Sequence, residues 1–407
     1  MKMLFVGDFC PINRVEELVL KGKADSVYGD TLFELHDKDL SVANLECPLT
    51  KTSLSIQKIG PNIRANPKTV DCLKKGGFDI ANLANNHIRD FGSNGVIETI
   101  RLLKENNIKF VGAGASLSLA QRPLRVMVDD KAVIFLAFAE NEFNCANEND
   151  AGANPLDPVI NTSQIRMARK ENDIVIVLIH GGNEYNPVPS PRIVKTYRAF
   201  VDAGASVIIG THPHVPQGYE IYHNTPIFYS LGNFVFDLKQ KKDSRGPLWS
   251  TSYFVRIHFQ KNIVDNLDII PYKTLPENGC LTLLKAEELN EFKTYINGLC
   301  EILKDKNEIK KFWNGWCAMQ GPSFLRWLSS SFPLTYLYSF VPWKQAGNIK
   351  RFLSARYHLK CEANRELLID FLDLVIKKQI DNAKEYIPAI KDLQKGRSAR
   401  TKFNSEL

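Results

Sequence analysis

This chain of 407 residues lacks several things that would classify it quickly. It has no uninterrupted apolar run approaching the roughly 18 residues of a spanning helix, so no membrane span is evident. Its eight cysteines, at positions 10, 47, 72, 145, 280, 300, 317 and 361, form no C-x-x-C pair. That scatter argues against a disulfide framework and fits reduced thiols in a cytosolic protein. The opening "MKMLFVGDF" has neither the charged nor the long apolar region of a signal peptide, and it reads as a first strand ending near Asp8. No G-x-S-x-G elbow, P-loop or dinucleotide fingerprint occurs. The glycine-rich "GAGASL" at 112–117 lacks the Lys and Ser/Thr of a phosphate loop and reads as a strand-to-loop turn. Internal repeats are absent as well.

What is present is an ordinary globular composition, 44% hydrophobic and 24% charged. The length allows one large α/β domain and a smaller unit. Charge is unevenly spread: residues 1–270 carry 30 basic and 30 acidic side chains, residues 271–407 carry 22 and 15, so the whole net charge of +7 lies in the second part. A basic segment of this kind suits an anionic polymer or a membrane surface, or is a solvated helical face.

Short apolar runs at 3–6, 40–43, 78–83, 108–111, 132–138, 174–179, 207–209 and 227–229 read as strands. Helical patterns at 95–105 and 190–203 lie between some of them. This alternation predicts an α/β layered domain. The alternating runs 252–259 and 264–271 predict an antiparallel pair that closes the sheet. From about residue 275 the pattern turns helical, which divides the chain into an α/β unit over 1–272 and a helical region over 273–407. Within the latter, "FLRWLSSSFPLTYLYSFVPW" carries one charge, Arg326, and Trp313, Trp316, Trp327 and Trp343 fall in or just before it. It reads as a packed helical subdomain or, over residues 323–343, as a peripheral membrane contact.

The metal-type residues share one position: each follows an apolar run. Asp8, Glu46, Asn85-Asn86-His87, His180, His212, His214 and Asn233 all do so. Ligands of α/β sheets sit beyond the carboxyl ends of the strands, so these residues are expected at one edge. A strand alternates its faces, so His212 and His214 are expected to point the same way. Imidazole, carboxylate and amide donors together suit divalent Mn, Fe or Zn, with Mg also compatible. Two such ions bridged by a carboxylate favour in-line displacement at phosphorus. His87, beside an amide ligand, is placed to act as general acid.

The motifs "VGDF", "NLECPLT", "NLANNHIRDFGSNG", "FVGAGAS", "IVLIHGGNEY", "GASVIIGTHPHVPQGYE" and "FYSLGNFVFD" resemble, in order and spacing, the CapA-type capsule and poly-gamma-glutamate synthesis family, related to the calcineurin-like metallophosphoesterases. The resemblance covers roughly residues 1–240. It implies a four-layer α/β/β/α sandwich with a helical C-terminal extension and a dinuclear site at one edge. By resemblance, Asp8, Glu46, Asn86, His180, His212 and His214 are the metal ligands, with Glu46 in the bridging place, His212 facing one ion and His214 the other. His87 is the acid histidine. Arg64 matches an arginine that could hold an anionic group, or it braces a loop. Glu184 and Asn233 face the substrate or orient a ligand, and Asp90 serves there or as a helix cap. Two departures stand out. Cys10 takes the position of a histidine in ordinary metallophosphoesterases, as a thiolate ligand or a small buried residue, and the lost ligand leaves one or two ions expected. Gly182 replaces a more usual aromatic and widens the site.

The expected function is therefore a metal-dependent, phosphoesterase-like hydrolase in capsule or envelope polymer production. The alternatives are a non-catalytic metal-binding assembly factor and a gamma-glutamyl amide hydrolase or transferase. The expected partner is an anionic polymer or a phosphorylated small molecule, not nucleic acid. Many family members begin with a membrane anchor, whereas this chain starts at its first strand. That predicts a cytoplasmic protein, peripheral at the inner face of the membrane if residues 323–343 dock there.

Overall fold

The computed structural model describes residues 1–169, 173–237, 247–331 and 349–398. It begins with β1 (Lys2–Cys10), buried from Met3 to Cys10 as expected of a central strand. β2 (Leu40–Leu45), β3 (Ile80–Asn82) and β4 (Lys109–Val111) follow in parallel beside it. A small ribbon pairs β5 (Ala113–Gly114) with β8 (Gly152–Ala153). A second sheet contains β6 (Leu124–Val128), β7 (Lys131–Ala139), β9 (Ile174–His180), β10 (Val207–Thr211), β11 (Tyr219–Tyr222) and β12 (Thr225–Phe228), in the order β11-β12-β10-β9-β7-β6. The chain then returns to the first sheet. β13 (Asn233–Phe236) runs parallel to β1, while β14 (Thr251–Gln260), β15 (Ile263–Thr274) and β16 (Leu281–Leu283) extend the sheet with antiparallel pairings. The antiparallel pair expected from the alternating runs is β14–β15.

β1 lies against β10 and β4 against β7, so the two sheets share one hydrophobic core. Helices pack around it for reasons legible in their sequences. In the helix Pro191–Asp202, the Ser190 hydroxyl accepts from the Ile193 N–H and Pro191 takes the first turn. The apolar stripe of that helix buries Ile193, Val194, Tyr197, Phe200 and Val201. Gly92–Glu105 buries Val96, Thr99 and Leu103 in the same manner.

Parallel register brings the site together. Asp8 stands opposite Asn44 on one side and Asn233 on the other. Asn44 pairs with Asn82, and Thr211 with His180. One glycine is indispensable to this alignment: a Cβ on Gly7 would sit 1.8 Å from the Gly232 carbonyl oxygen, which accepts the Asp8 N–H at 3.0 Å.

The C-terminal helices Ala286–Lys304, Lys306–Ser331, Ile349–Lys360, Glu362–Ile376, Ile380–Lys384 and Ile387–Gln394 continue from β16. Trp313 and Trp316 are buried and join the core shared with the sheets. Polar ties clamp these helices to the strand ends. Arg192 bridges Glu140, just after β7, at 2.6 Å and Glu366 at 2.8 Å. Glu362 accepts from the backbone and side chain of Asn141, and Gln394 donates to the Tyr185 carbonyl. Among the described residues, no helix is long and apolar enough to cross a membrane. In the aromatic segment 323–343, residues 332–343 lie outside the described residues.

Candidate metal centre

Asp8, Glu46, Asn86, His180, His212 and His214 converge at the edge where β1, β2, β9 and β10 end, and all six are buried. Asp8, Glu46 and His180 form one group whose donor atoms lie within 4.8 Å of one another; Glu46, His212 and His214 form another. Glu46 belongs to both. Its Oε1 lies 3.6 Å from His180 Nε2 and 3.5 Å from His214 Nε2, too long for hydrogen bonds. Two ligands held tetrahedrally at bond lengths of about 2.1 Å stand roughly 3.4 Å apart, so these separations fit a shared cation.

The electrostatics fit a cation equally well. Both carboxylate oxygens of Glu46 are buried without a hydrogen-bond partner. An orphaned carboxylate in this setting calls for a counter-charge. Burial, then the neighbouring Asp8, pushes the Glu46 carboxyl well above the ordinary carboxylate range. Burial, then the other imidazoles, holds His180 well below the ordinary histidine range, which keeps it neutral with a lone pair to offer. Burial alone would lower His214, but the hydrogen bond and charge of Asp8 raise it.

The histidines are aimed by partners behind them. His180 Nδ1 lies 3.1 Å from Thr211 Oγ1, which turns Nε2 toward Glu46 and to 3.1 Å from Asn86 Oδ1. His214 Nδ1 lies 2.9 Å from Asn233 Oδ1, and the Asn233 amide donates to the carbonyls of His214 and Trp249. Asn233 thus orients His214. Asp8 accepts from Asn44 Nδ2 at 2.8 Å, and Asn44 in turn accepts from Asn82, an amide ladder crossing three strands.

His212 and His214 converge by a route other than the alternation of a strand. β10 stops at Thr211, and both histidines sit in the following bend at φ of 100° and 59°. Their rings stand 5.9 Å apart. Left-handed backbone at non-glycine residues costs of order 1–3 kcal/mol each and persists where the surroundings enforce it.

His87 lies beside this cluster. Its Nδ1 is 2.7 Å from Asp90 Oδ2, and Lys58 Nζ, itself paired with Asp90 Oδ1, is 3.3 Å from the same nitrogen. Burial, then Lys58, lowers the His87 pKa. Asp90 also accepts from the Ile63 N–H, so it braces the 56–63 loop against His87. It is not the cap of the helix that starts at Gly92, which Phe91 precedes.

Three candidates stand apart. Arg64 is exposed; its guanidinium donates to the carbonyls of Lys51 and Thr52 and lies 4.8 Å over the Phe91 ring, bracing that loop. Cys10 is buried beside Cys47, with its thiol pushed up by burial, and it belongs to neither donor group. Glu184 is exposed and lines a cavity of about 610 Å³ that His212 and Gly182 also line.

Several residues escaped sequence reasoning. Glu142 lines the same cavity, 3.7 Å from His212 and 3.4 Å from the Asn86 amide, and burial raises its pKa. Like the candidate ligands it follows an apolar strand, β7, which was the available signal. Lys58 lies in a loop with no such mark. The far wall of the cavity, including Trp316, Tyr357 and Gln394, comes from the C-terminal helices.

The sequence pattern of the family described as "Bacterial capsule synthesis protein PGA_cap" matches residues 2–238. The capsule biosynthesis protein CapA of Bacillus anthracis is 35% identical over 280 residues, 67% of each chain. The PGA biosynthesis protein CapA of Bacillus subtilis (strain 168) is 34% identical over 309 residues, 74% of this chain and 78% of its own. A probable polyglutamine synthesis accessory protein of Mycobacterium tuberculosis is 28% identical over 225 residues, 52% of this chain and 59% of its own. With a family match over more than half its length and relatives of this closeness, the chain belongs to the PGA_cap family of bacterial capsule synthesis proteins, of the CapA type.

Proposed function

We propose that this CapA-type chain is a metal-dependent hydrolase of the phosphoesterase kind, working in the production of a capsule or envelope polymer such as poly-gamma-glutamate or a polysaccharide. One observation carries the reading: Glu46, unpartnered and buried, belongs to two donor groups at once, and a buried histidine braced by its own carboxylate stands next to them. Two sheets with helices packed around them support the further reading of a four-layer α/β/β/α sandwich of metallophosphoesterase type.

Asp8, Glu46, Asn86, His180, His212 and His214 would hold the ions, and Glu46 belongs to both donor groups; Mn, Fe or Zn suits this donor set. Bound there, one or two divalent ions would polarise a phosphoryl oxygen and activate water. The rest falls to the protein. Asp90, 2.7 Å from Nδ1, accepts the Nδ1–H of His87, so Nε2 is the nitrogen that exchanges a proton with the reaction. The imidazolium form, paired with Asp90, is the acid for the leaving oxygen, and burial beside Lys58 makes it give that proton up readily. Lys58 holds Asp90 in place from its other oxygen. The cavity wall of Trp316 and Tyr357 shields the reacting atoms from bulk water.

The test is turnover of an aryl phosphate and an aryl phosphodiester by purified protein, stripped of metal and then supplied with Mn, Zn or Mg. Metal-dependent turnover that falls by about 10²- to 10⁴-fold in His87→Ala is expected. No turnover with any of the metals, with His87→Ala equal to the parent in polymer production, overturns the hydrolase and leaves a metal-binding assembly factor.

A further inference from the structure

Glu142 lines the metal-site cavity and has no part in the chemistry above. Its place follows from the atoms that the neighbouring ligands leave over. His180 Nδ1 is occupied by Thr211 and Asn44, so Nε2 faces the edge. Asn86 Oδ1 and His212 Nδ1 each lie 3.1 Å from that Nε2, so these three atoms converge. The other end of each partner points away from them, and both ends point at Glu142. The Asn86 amide nitrogen lies 3.4 Å from each carboxylate oxygen, and His212 Nε2 lies 3.7 Å from Oε1. An amide nitrogen is a donor, and an imidazole whose Nδ1 is kept for a cation carries its proton on Nε2. A carboxylate that faces both therefore selects one flip of Asn86 and one tautomer of His212. The opposite flip would set the Asn86 oxygen against the carboxylate, and the opposite tautomer would set a lone pair against it. At 3.4 Å the amide contact is a long hydrogen bond; at 3.7 Å the imidazole is attracted through charge and not through a formed bond.

Glu142 is itself set from two sides. Asn144 accepts the Glu142 N–H at 3.0 Å and donates to the Asn85 carbonyl at 3.0 Å, which ties the segment to the residue before Asn86. The flanking side chains turn to the C-terminal helices. Asn141 donates its backbone and side-chain N–H groups to the two oxygens of Glu362, at 2.8 and 2.9 Å. The Phe143 ring stacks on Tyr357 with centroids 5.8 Å apart and planes 12° apart, and the Arg356 guanidinium lies 5.6 Å from the Phe143 centroid. Helices from the far end of the chain thus hold the backbone on both sides of Glu142.

We infer that Glu142 is a positioning residue of the metal edge. It holds the Asn86 amide and faces the His212 Nε2–H, so that Oδ1 and Nδ1 are presented to one cation. The C-terminal helices set its place through Glu362, Tyr357 and Arg356, and so act on metal affinity without supplying a ligand. This role rests on the metal centre of the function proposed above and not on the hydrolysis.

The experiment reads metal binding without substrate: the stripped full chain is titrated with Mn, and the affinity is taken from competition with a chromogenic chelator. Glu142→Gln keeps the size of the side chain but can accept from only one of the two donors. It should weaken Mn binding about 10- to 100-fold while the melting temperature of the stripped protein stays unchanged. Glu142→Gln/Asn86→Ala should lose less than the product of the two single losses, because the two residues act together. Glu362→Gln, remote from the ligands, should weaken Mn binding in the same direction and by less. Parent affinity in Glu142→Gln, a full product in the double variant, or a loss matched by a lower melting temperature overturns the positioning role. Parent affinity in Glu362→Gln overturns the control by the C-terminal helices. A parent that binds no Mn overturns the metal centre and this role together. Mn binding that follows these changes in a protein that turns over no phosphoester keeps the role and loses the hydrolase.

Discussion

Replacing Glu46 with Gln separates a metal centre from a merely polar core. In the parent both Glu46 oxygens are buried without partners and face Asp8, so the carboxyl is held well above its usual range. A cation bound at the edge relieves that state and stabilises the fold by mass action, by about 2.7 kcal/mol at a hundredfold excess over Kd. At about 2.1 cal/mol/K per residue, a chain of 407 residues that unfolds as one unit moves by about 1 °C per kcal/mol, so the rise on adding Mn or Zn to stripped protein is roughly 3 °C. Gln preserves the volume but not the charge. Glu46→Gln should melt at or above the parent without metal, because it removes the cost of burying an ionisable carboxyl beside Asp8, and should shift by less than about 1 °C with metal. Thermal unfolding of both proteins, with chelator and with each metal, measures this. A parent that melts at one temperature under all conditions, or a variant that keeps the full shift, refutes the reasoning.

Other outcomes follow from single contacts. Arg192→Leu leaves the Glu140 and Glu366 carboxylates without their shared cation, and should lower the stability measured by urea unfolding by about 3 kcal/mol. Gly7→Ala forces β1 and β13 apart at the Gly232 carbonyl, so the purified variant should contain less metal by elemental analysis than the parent even where it folds. Asn233→Ala frees the His214 ring from behind and should weaken metal affinity about 10- to 100-fold in a competition titration with a chromogenic chelator. Asp90→Asn should slow turnover with unchanged metal content, since it touches His87 and no member of the two donor groups.

The alternating strands and helices and most of the edge were legible because each relies on a local rule, whereas a pair of packed sheets was implied only by the family resemblance. Apolar runs of strand length ended in Asp8, Glu46, His180 and His212, and parallel strands bring such ends to one side. The mode by which His212 and His214 converge was not legible: a bend at positive φ replaces the pleat, and only the packing around it enforces that backbone. Asn44 and Asn82 sit inside apolar strands, where an amide gives no pattern; their role depends on register with Asp8. The wall supplied by Trp316, Tyr357 and Gln394 depends on contacts more than a hundred residues apart along the chain, such as Gln394 to Tyr185. Periodicity identifies those helices but carries no information on which strand ends they cover.

The most direct measurement is anomalous diffraction from crystals of the full chain soaked in Mn or Zn, recorded at the absorption edge of the added metal. The account predicts one or two peaks beside the Glu46 carboxylate, among Asp8 and His180 on one side and His212 and His214 on the other, and none there in Asp8→Ala crystals. An empty edge in the parent, or peaks confined to sites that do not touch Glu46, would contradict it.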